Sequence, residues 1–280
     1  MENLKLIDQL KKEGVFKLET KYGVLIIAHG SKSQGWEDQI KRTVDKVQCA
    51  YPIVISYLEF SVMTIERGIE ELEEMGVTQI IIVPLFVSSG SSHIEEIKFA
   101  LGISHAFSGR ADIQPVKLQV PVIWREPMNA HPIVLDILSD QIQELSKAPE
   151  KESLLIAAHG SKQPSLSEKW SEQLEKIKSG LERRFAFEQV EYGSLYPDNL
   201  REAAEDLLSK GGKVLVIPLV LSEGYLTKKS IPAKLDGLDY IWNGKTIVPH
   251  NLVARWIEQQ IGEAEAEAEG KCSDDHTIND

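Results

Sequence analysis

The chain carries an internal repeat, and this repeat limits the folds that it can adopt. The segment VLIIAHGSK at 24–32 returns as LLIAAHGSK at 154–162, and IIIVPLFVSSG at 80–90 returns as VLVIPLVLSEG at 214–224. A weaker echo links 131–142 with 250–261. Three blocks in the same order indicate two homologous halves of one architecture. The halves meet near 145–153, where a proline and several charged residues interrupt the pattern.

Each half alternates short apolar runs with amphipathic stretches. Near-continuous runs such as IIIVPLFV are typical of strands covered on both faces, as in parallel sheets. We therefore expect an α/β fold in which each half is a four-stranded parallel sheet flanked by helices. The predicted strands are 23–28, 52–58, 79–87 and 115–120 in the first half, and 153–158, 188–195, 213–221 and 245–248 in the second.

The repeat and its flanks predict four segments. These are an N-terminal helical extension at 1–22, a first half at 23–148, a second half at 149–262 and an acidic tail at 263–280. The tail, EAEAEAEGKCSDDHTIND, has almost no large apolar residues, so we expect it to be a frayed helix end or disordered.

Composition excludes several classes of protein. A formal net charge of −12 argues against nucleic-acid binding, which usually requires a basic patch. The sequence contains no run of eighteen apolar residues, so no membrane span is expected. Charged residues interrupt the apolar positions near the N-terminus, so a signal peptide is not expected either. The two cysteines, Cys49 and Cys272, have no disulfide or metal spacing. We expect a cytoplasmic protein without nucleic-acid or membrane partners.

Candidate site residues follow the first and third strands. Ligands of open parallel sheets bind at the carboxyl ends of the strands. The first strand is followed by His29, Gly30 and Ser31, and the third by a segment that contains His93 and Glu95. Because these strands are expected to be neighbours, His29 and His93 are expected to face each other across a cleft.

A structural interpretation competes with this one. Ser92 and Glu95 form an S-x-x-E pattern, which predicts a capping box at a helix start. The second half, however, has Thr227 and Lys229 at the positions of His93 and Glu95, so the fold itself does not need them. We expect the first half to be active and the second to hold a degenerate site.

Two imidazoles and a carboxylate suit a borderline divalent metal such as Co²⁺, Ni²⁺ or Fe²⁺. A histidine also suits proton transfer, because it titrates near neutral pH. Insertion of a metal into a tetrapyrrole needs both functions, since the ion must be held loosely while two pyrrole N–H protons leave.

The motifs IIAHGS, VPLFVSSGSSHIEEI and a later helix start at HP resemble those of the sirohydrochlorin chelatases, which are ATP-independent class II chelatases of cobalamin and sirohaem synthesis. SSHIEEI is also similar to the ferrochelatase signature. The resemblance covers about 22–262 in the two-half form. It implies a chelatase-like fold with flavodoxin-like layering and a lyase that inserts cobalt or iron into sirohydrochlorin. The metal (Co²⁺, Fe²⁺ or Ni²⁺) is then a substrate, and no organic cofactor is expected.

The resemblance also implies roles for individual residues. His29 matches the first active-site histidine, and His93 with Glu95 matches the second motif; together they are expected to deliver the metal and deprotonate the pyrroles. His159 matches the HGS histidine of the second half. The residues expected to bind the macrocycle are Gly30, Ser31, Ser88, Ser89, Gly90, Ser91 and Ser92.

Two other functions compete with this interpretation. A histidine-phosphatase-like enzyme needs an arginine immediately before its histidine, and Ala28 and Ala158 occupy that position. A non-catalytic metal or tetrapyrrole carrier on the same fold stays open, because binding and insertion would use the same ligands.

Overall fold

The computed structural model describes residues 20–32, 34–105 and 113–274. Most of the predicted N-terminal extension therefore lies outside the described residues. Within these three ranges, no helix combines the length and apolar character that crossing a membrane requires.

The first half alternates strands and helices along the chain, as the repeat predicted. Its elements are β1 (Tyr22–Ala28), α1 (Gln34–Val44), β2 (Ile53–Tyr57), α2 (Ile65–Glu74), β3 (Gln79–Pro84), α3 (Ser92–Ala100), β4 (Val122–Trp124) and α4 (Pro132–Leu145).

The second half repeats this order after a 3-10 turn at Pro149–Lys151. Its elements are β5 (Glu152–Gly160), α5 (Pro164–Arg184), β6 (Gln189–Tyr196), α6 (Leu200–Ser209), β7 (Lys213–Leu219), α7 (Ile231–Lys234) and α8 (Leu252–Asp274). A π-helical turn, Leu226–Ser230, precedes α7.

Both sheets are parallel, which confirms the predicted fold class. The first has the order β2-β1-β3-β4, so β1 and β3 are neighbours. The second has the order β6-β5-β7, with three strands and not the four that we expected. The predicted strand at 245–248 does not join it, because the backbone of Ile247 and Val248 bonds to carbonyls beyond the end of β7. In place of a fourth strand, an isolated parallel β-bridge pairs Ile241 with Leu215 of β7.

The fourth strand of the first sheet is also displaced from the prediction. It lies at Val122–Trp124 and not at 115–120. The earlier segment carries apolar residues at every second position, and these pack against the core over β3 without pairing as a strand: Val116, Leu118 and Val120. Its backbone bonds to helices, since Val116 N donates to the carbonyl of Ala100 at the end of α3. The alternation of apolar and polar residues in 115–120 therefore reflects a segment with one face packed on the core, and not a strand of the sheet.

The two halves exchange their last helices. Helix α4 of the first half packs on β7 and α5 of the second, and α8 of the second half packs on β3 and α1 of the first. A single apolar cluster therefore contains Ile26 and Ile81 from one sheet, Ile156 and Ile217 from the other, and the fully buried Trp256 from α8. The halves are homologous in sequence and share this cluster, while each also has a smaller core of its own.

Most of the acidic tail is helical, which agrees with the first of the two expected alternatives. Helix α8 continues to Asp274, and only 275–280 lie outside the described residues. Ala264 is fully buried, and Arg125 binds Glu263 at 2.5 Å and Glu267 at 2.8 Å. Alanine and glutamate are strong helix formers, and these acids have partners in the first half, so low hydrophobicity did not mean disorder here.

The turns after β1 and β5 require glycine. Gly30 has φ +90° and Gly160 has φ +71°. A Cβ atom at Gly30 would lie 1.9 Å from the carbonyl oxygen of Glu59, and one at Gly160 would lie 1.8 Å from that of Tyr196. No side chain fits at either position, which explains the glycine after the histidine in both halves.

The Gly30→Ala variant is expected to lose about 3 kcal/mol or more of unfolding free energy, because the new Cβ collides with backbone that cannot move alone. The matched control is Gly76→Ala, with φ +75° and open space around the new atom. It is expected to lose only about 1–2 kcal/mol, from backbone conformation. Urea or thermal unfolding compares the two variants, and equal losses would contradict the steric explanation.

Candidate functional site

A cavity of about 910 Å³ lies between the halves at the carboxyl ends of the central strands. Both HGS segments contribute to its wall. Of the residues predicted to form the site, the following line it: His29, Gly30, Ser31, Ser88, Ser91, Ser92 and His93. Ser89, Gly90 and Glu95 are not among the lining residues.

His29 and His93 face each other inside this cavity. Their Nε2 atoms are 3.0 Å apart and the ring centroids are separated by 4.4 Å. The arrangement follows from the sheet, since β1 and β3 pair up to Ile27 and Pro84 and each histidine comes after the end of its strand. The turn at Gly30 then positions the ring of His29.

The other nitrogen of each ring is already bonded. Nδ1 of His29 lies 2.8 Å from the carbonyl oxygen of Gly30, and Nδ1 of His93 lies 2.9 Å from a carboxylate oxygen of Glu96. A carbonyl or an ionised carboxylate can only accept, so both Nδ1 atoms carry a proton. In the neutral rings, both Nε2 lone pairs then point at each other.

At this separation the two nitrogens either share a proton in a hydrogen bond or bind one cation together. Imidazole ligands bind a metal at about 2.1 Å, and two such ligands at a right angle are about 3.0 Å apart. The pair therefore fits two adjacent positions of one divalent ion. In the described ranges, no three His, Cys, Asp or Glu side chains are grouped to share an ion. Two protein ligands leave the other coordination positions to water or to an incoming ligand.

The second half places one imidazole on the opposite wall. Nδ1 of His159 lies 3.1 Å from the carbonyl oxygen of Gly160, which copies the turn at His29. Thr227, at the position of His93, is buried and bonds within its own turn to Gly224. His159 is exposed, but partial desolvation lowers its pKa, and the nearby His93, His29 and Lys162 lower it further against the raising effect of the Gly160 carbonyl.

The cavity is cationic although the chain is acidic. Its described lining includes the three histidines with Lys32 and Lys162, and contains no Asp or Glu. Each lysine lies over an aromatic ring, with Lys32 Nζ 5.3 Å from the centroid of Phe60 and Lys162 Nζ 4.6 Å from that of Tyr196. Such a surface suits a flat, anionic ligand.

Comparison with known protein families finds the same two halves. The CbiX family model matches residues 23–145 and, a second time, residues 153–264. The chain belongs to the CbiX family. The resemblance to sirohydrochlorin chelatases that the motifs indicated is thereby confirmed.

Two curated relatives are similar to this CbiX chain. The sirohydrochlorin cobaltochelatase of Methanothermobacter thermautotrophicus is 26% identical over 131 residues, which are 44% of this chain and 92% of that protein. The sirohydrochlorin ferrochelatase of Priestia megaterium is 28% identical over 213 residues, 72% of this chain and 74% of that protein.

Solved structures show the same fold. SirB from Bacillus subtilis with Fe³⁺ superposes with a TM-score of 0.72 at 20% identity, covering 90% of this chain and 98% of that one. SirB from Bacillus subtilis subspecies spizizenii in complex with cobalt gives a TM-score of 0.64 at 19% identity, with the same coverage.

Within this CbiX fold, Glu96 and not Glu95 contacts the histidine pair. Glu96 is buried and follows His93 by three positions, which places both on one face of α3. The spacing was the sequence signal that could have found it. Glu95 projects elsewhere and forms an ion pair with Lys169 of α5 at 3.0 Å.

The loop before α3 is docked on the second half. A Cβ atom at Gly90 would lie 2.6 Å from both the carbonyl oxygen of Leu166 and Cδ1 of Trp170, so the loop packs directly on α5. Together with the ion pair of Glu95, this contact holds the start of α3 against the other half.

The predicted capping box is wrong. The N-cap of α3 is Ser91, and no side chain bonds the helix start there. Glu95 is engaged with Lys169, so it does not close the helix end. The hydroxyl residues Ser91 and Ser92 instead line the cavity. A capping box therefore does not explain Ser92 and Glu95, whereas Ser88 has a structural contact, since its hydroxyl accepts from the backbone N–H of Gly90 at 3.0 Å.

Glu96→Gln is expected to weaken Co²⁺ binding about 10- to 100-fold, since second-sphere carboxylates orient a ligating imidazole and raise its basicity. Glu95→Gln is the matched control and is expected to change binding by less than about threefold, because it removes only the contact with Lys169. A Co²⁺ titration followed by visible absorbance measures both. A larger loss of Co²⁺ affinity in Glu95→Gln than in Glu96→Gln would show that Glu95, and not Glu96, supports metal binding.

Proposed function

We propose that this chain is an ATP-independent sirohydrochlorin chelatase, a lyase that inserts Co²⁺ or Fe²⁺ into the macrocycle. The single observation that supports this most strongly is the pair of facing Nε2 atoms of His29 and His93 inside a cationic cavity. Family membership and the names of the relatives support the same substrate class.

The cavity favours a tetrapyrrole over a small anion. Its volume of about 910 Å³ can take a large part of a flat macrocycle. Sirohydrochlorin carries several carboxylates, and Lys32 and Lys162 offer them charge from the two halves. Ser88, Ser91 and Ser92 add hydroxyl donors without bulk. Phe60 and Tyr225, 54% and 75% exposed, give aromatic surface at its edge.

In the proposed reaction, His29 and His93 present the metal through Nε2. Glu96 and the carbonyl of Gly30 hold the two rings in the tautomer that this requires. With two ligands among the described residues, the ion is bound weakly enough to be transferred to the pyrrole nitrogens. The metal replaces two N–H protons without a change in oxidation state, so the reaction needs no organic cofactor. The catalytic role of Glu95 and the substrate contacts of Ser89 and Gly90 stay predictions.

His93→Ala is expected to reduce insertion at least about 100-fold, because one of two metal ligands is lost. The assay follows the absorbance change of sirohydrochlorin with Co²⁺ or Fe²⁺ under anaerobic conditions over many equivalents of substrate. His105→Ala, an exposed histidine outside the cavity, is the control and should retain the wild-type rate.

This assay also tests the carrier alternative. A chelatase turns over repeatedly, whereas a carrier binds metal or tetrapyrrole in stoichiometric amount and stops. Wild-type protein that never exceeds one equivalent of product would contradict the proposed function.

The cavity lysines are expected to act on substrate affinity. Lys32→Gln and Lys162→Gln should each raise KM for sirohydrochlorin several-fold with little change in kcat, since each removes one charge facing the carboxylates. Lys228→Gln is the control, because Lys228 is exposed, lies outside the cavity and pairs with Glu223. The effect should shrink at high salt. A KM that does not respond to either cavity lysine would contradict an electrostatic role.

A further inference from the structure

We propose that His159, from the second half, accepts the pyrrole protons during metal insertion, while His29 and His93 serve only as metal ligands. This inference rests on the proposed function. It assigns a catalytic residue to the half that lacks a pair of facing histidines.

The histidine pair cannot do both tasks at once. Each Nδ1 already carries a proton that it donates, in His29 to Gly30 and in His93 to Glu96. Each Nε2 donates its lone pair to the metal when the ion is bound. Neither ring then has a lone pair left to accept a proton from the substrate.

The rest of the described lining offers few other bases. No carboxylate is present there. Its other polar side chains belong to lysine, tyrosine, tryptophan, glutamine and serine, which as residue types offer no free basic lone pair at neutral pH. Hydroxyl groups of serine are too weakly basic. His159 is the remaining lining side chain that titrates near neutral pH.

His159 has the geometry of a base. Its Nδ1 donates to the carbonyl of Gly160, so the neutral ring carries its lone pair on Nε2. The ring lines the same cavity as the metal pair but belongs to the opposite half. Thr227 stands where a second imidazole would be, so the ring is not paired as His29 is. Desolvation lowers the pKa of the His159 ring, which favours its neutral form.

The proton balance closes with this assignment. A pyrrole N–H bond breaks, its electron pair stays on nitrogen and forms the bond to the metal, and the proton adds to Nε2 of His159. The resulting imidazolium keeps its Nδ1–H bond to Gly160. Because the ring is exposed, it returns the proton to water before the second N–H proton is transferred in the same way.

The test separates proton transfer from metal binding. His159→Gln keeps a side chain that can donate to Gly160, and it is expected to lower kcat about 100-fold, the usual contribution of a general base. Its Co²⁺ titration should stay within about twofold of wild type. His29→Gln should lose both insertion and Co²⁺ binding, and His105→Gln should lose neither. In His159→Ala, added imidazole should restore part of the rate.

Each other outcome overturns the assignment. A wild-type rate in His159→Gln would show that the protons leave by another route. Loss of Co²⁺ binding in His159→Gln would make His159 a metal ligand. A folded His159→Ala variant that imidazole does not rescue would give the residue a structural role. If wild type itself does not turn over, the proposed function fails first, and that result is distinct because it does not depend on any variant.

Discussion

The exchange of the closing helices is the constraint on which the rest of the structure depends. Each sheet is covered on one face by a helix that the other half supplies, α4 over β7 and α8 over β3. A fully buried side chain such as Trp256 stabilises the fold by about 1.5–3 kcal/mol, and it does so in a core that contains both sheets. The halves cannot separate without exposing this core. The carboxyl ends of their central strands are therefore held beside one cavity.

Duplication and divergence explain the chemistry of that cavity. The turn that orients a histidine is kept in both halves, because a glycine with positive φ must pass the backbone of the neighbouring strand. The loop after the third strand differs between the halves, since a Cβ at Gly90 would collide with α5 whereas Gly224 has open space around it. One copy has His93 and a buried carboxylate behind it, and the other has Thr227 in a π-helical turn. The fold thus orients one imidazole in each half, His29 and His159. The loop after the third strand of the same half determines whether that imidazole has a second histidine beside it.

Much of this could be predicted from the sequence. The repeat predicted two related halves, and continuous apolar runs predicted parallel sheets. Adjacent first and third strands then predicted that His29 and His93 would face each other, as they do. These features follow from periodicity and topology, which a sequence records directly.

The features that were missed depend on contacts between distant residues. Glu96 was overlooked in favour of Glu95, because motif spacing does not show which helical face is turned to the site. The choice between a helix end and disorder in the tail could not be made from the sequence, because its partner Arg125 lies far away along the chain. The prediction of a strand at 245–248 was wrong for a similar reason, since its backbone N–H groups donate to carbonyls that lie beyond the end of β7. In each case a tertiary contact overrode local composition.

The docking of α3 on α5 makes the spacing of His29 and His93 depend on both halves. His29 lies at the end of a central strand, where neighbouring strands pair on both sides. His93 lies on a helix that is buried in the first half through Ile94 and Ile97, and whose start is also held by the opposite half through Gly90 and the ion pair of Glu95 with Lys169. The distance between the two Nε2 atoms is therefore set by the packing of the two halves as well as by the first sheet.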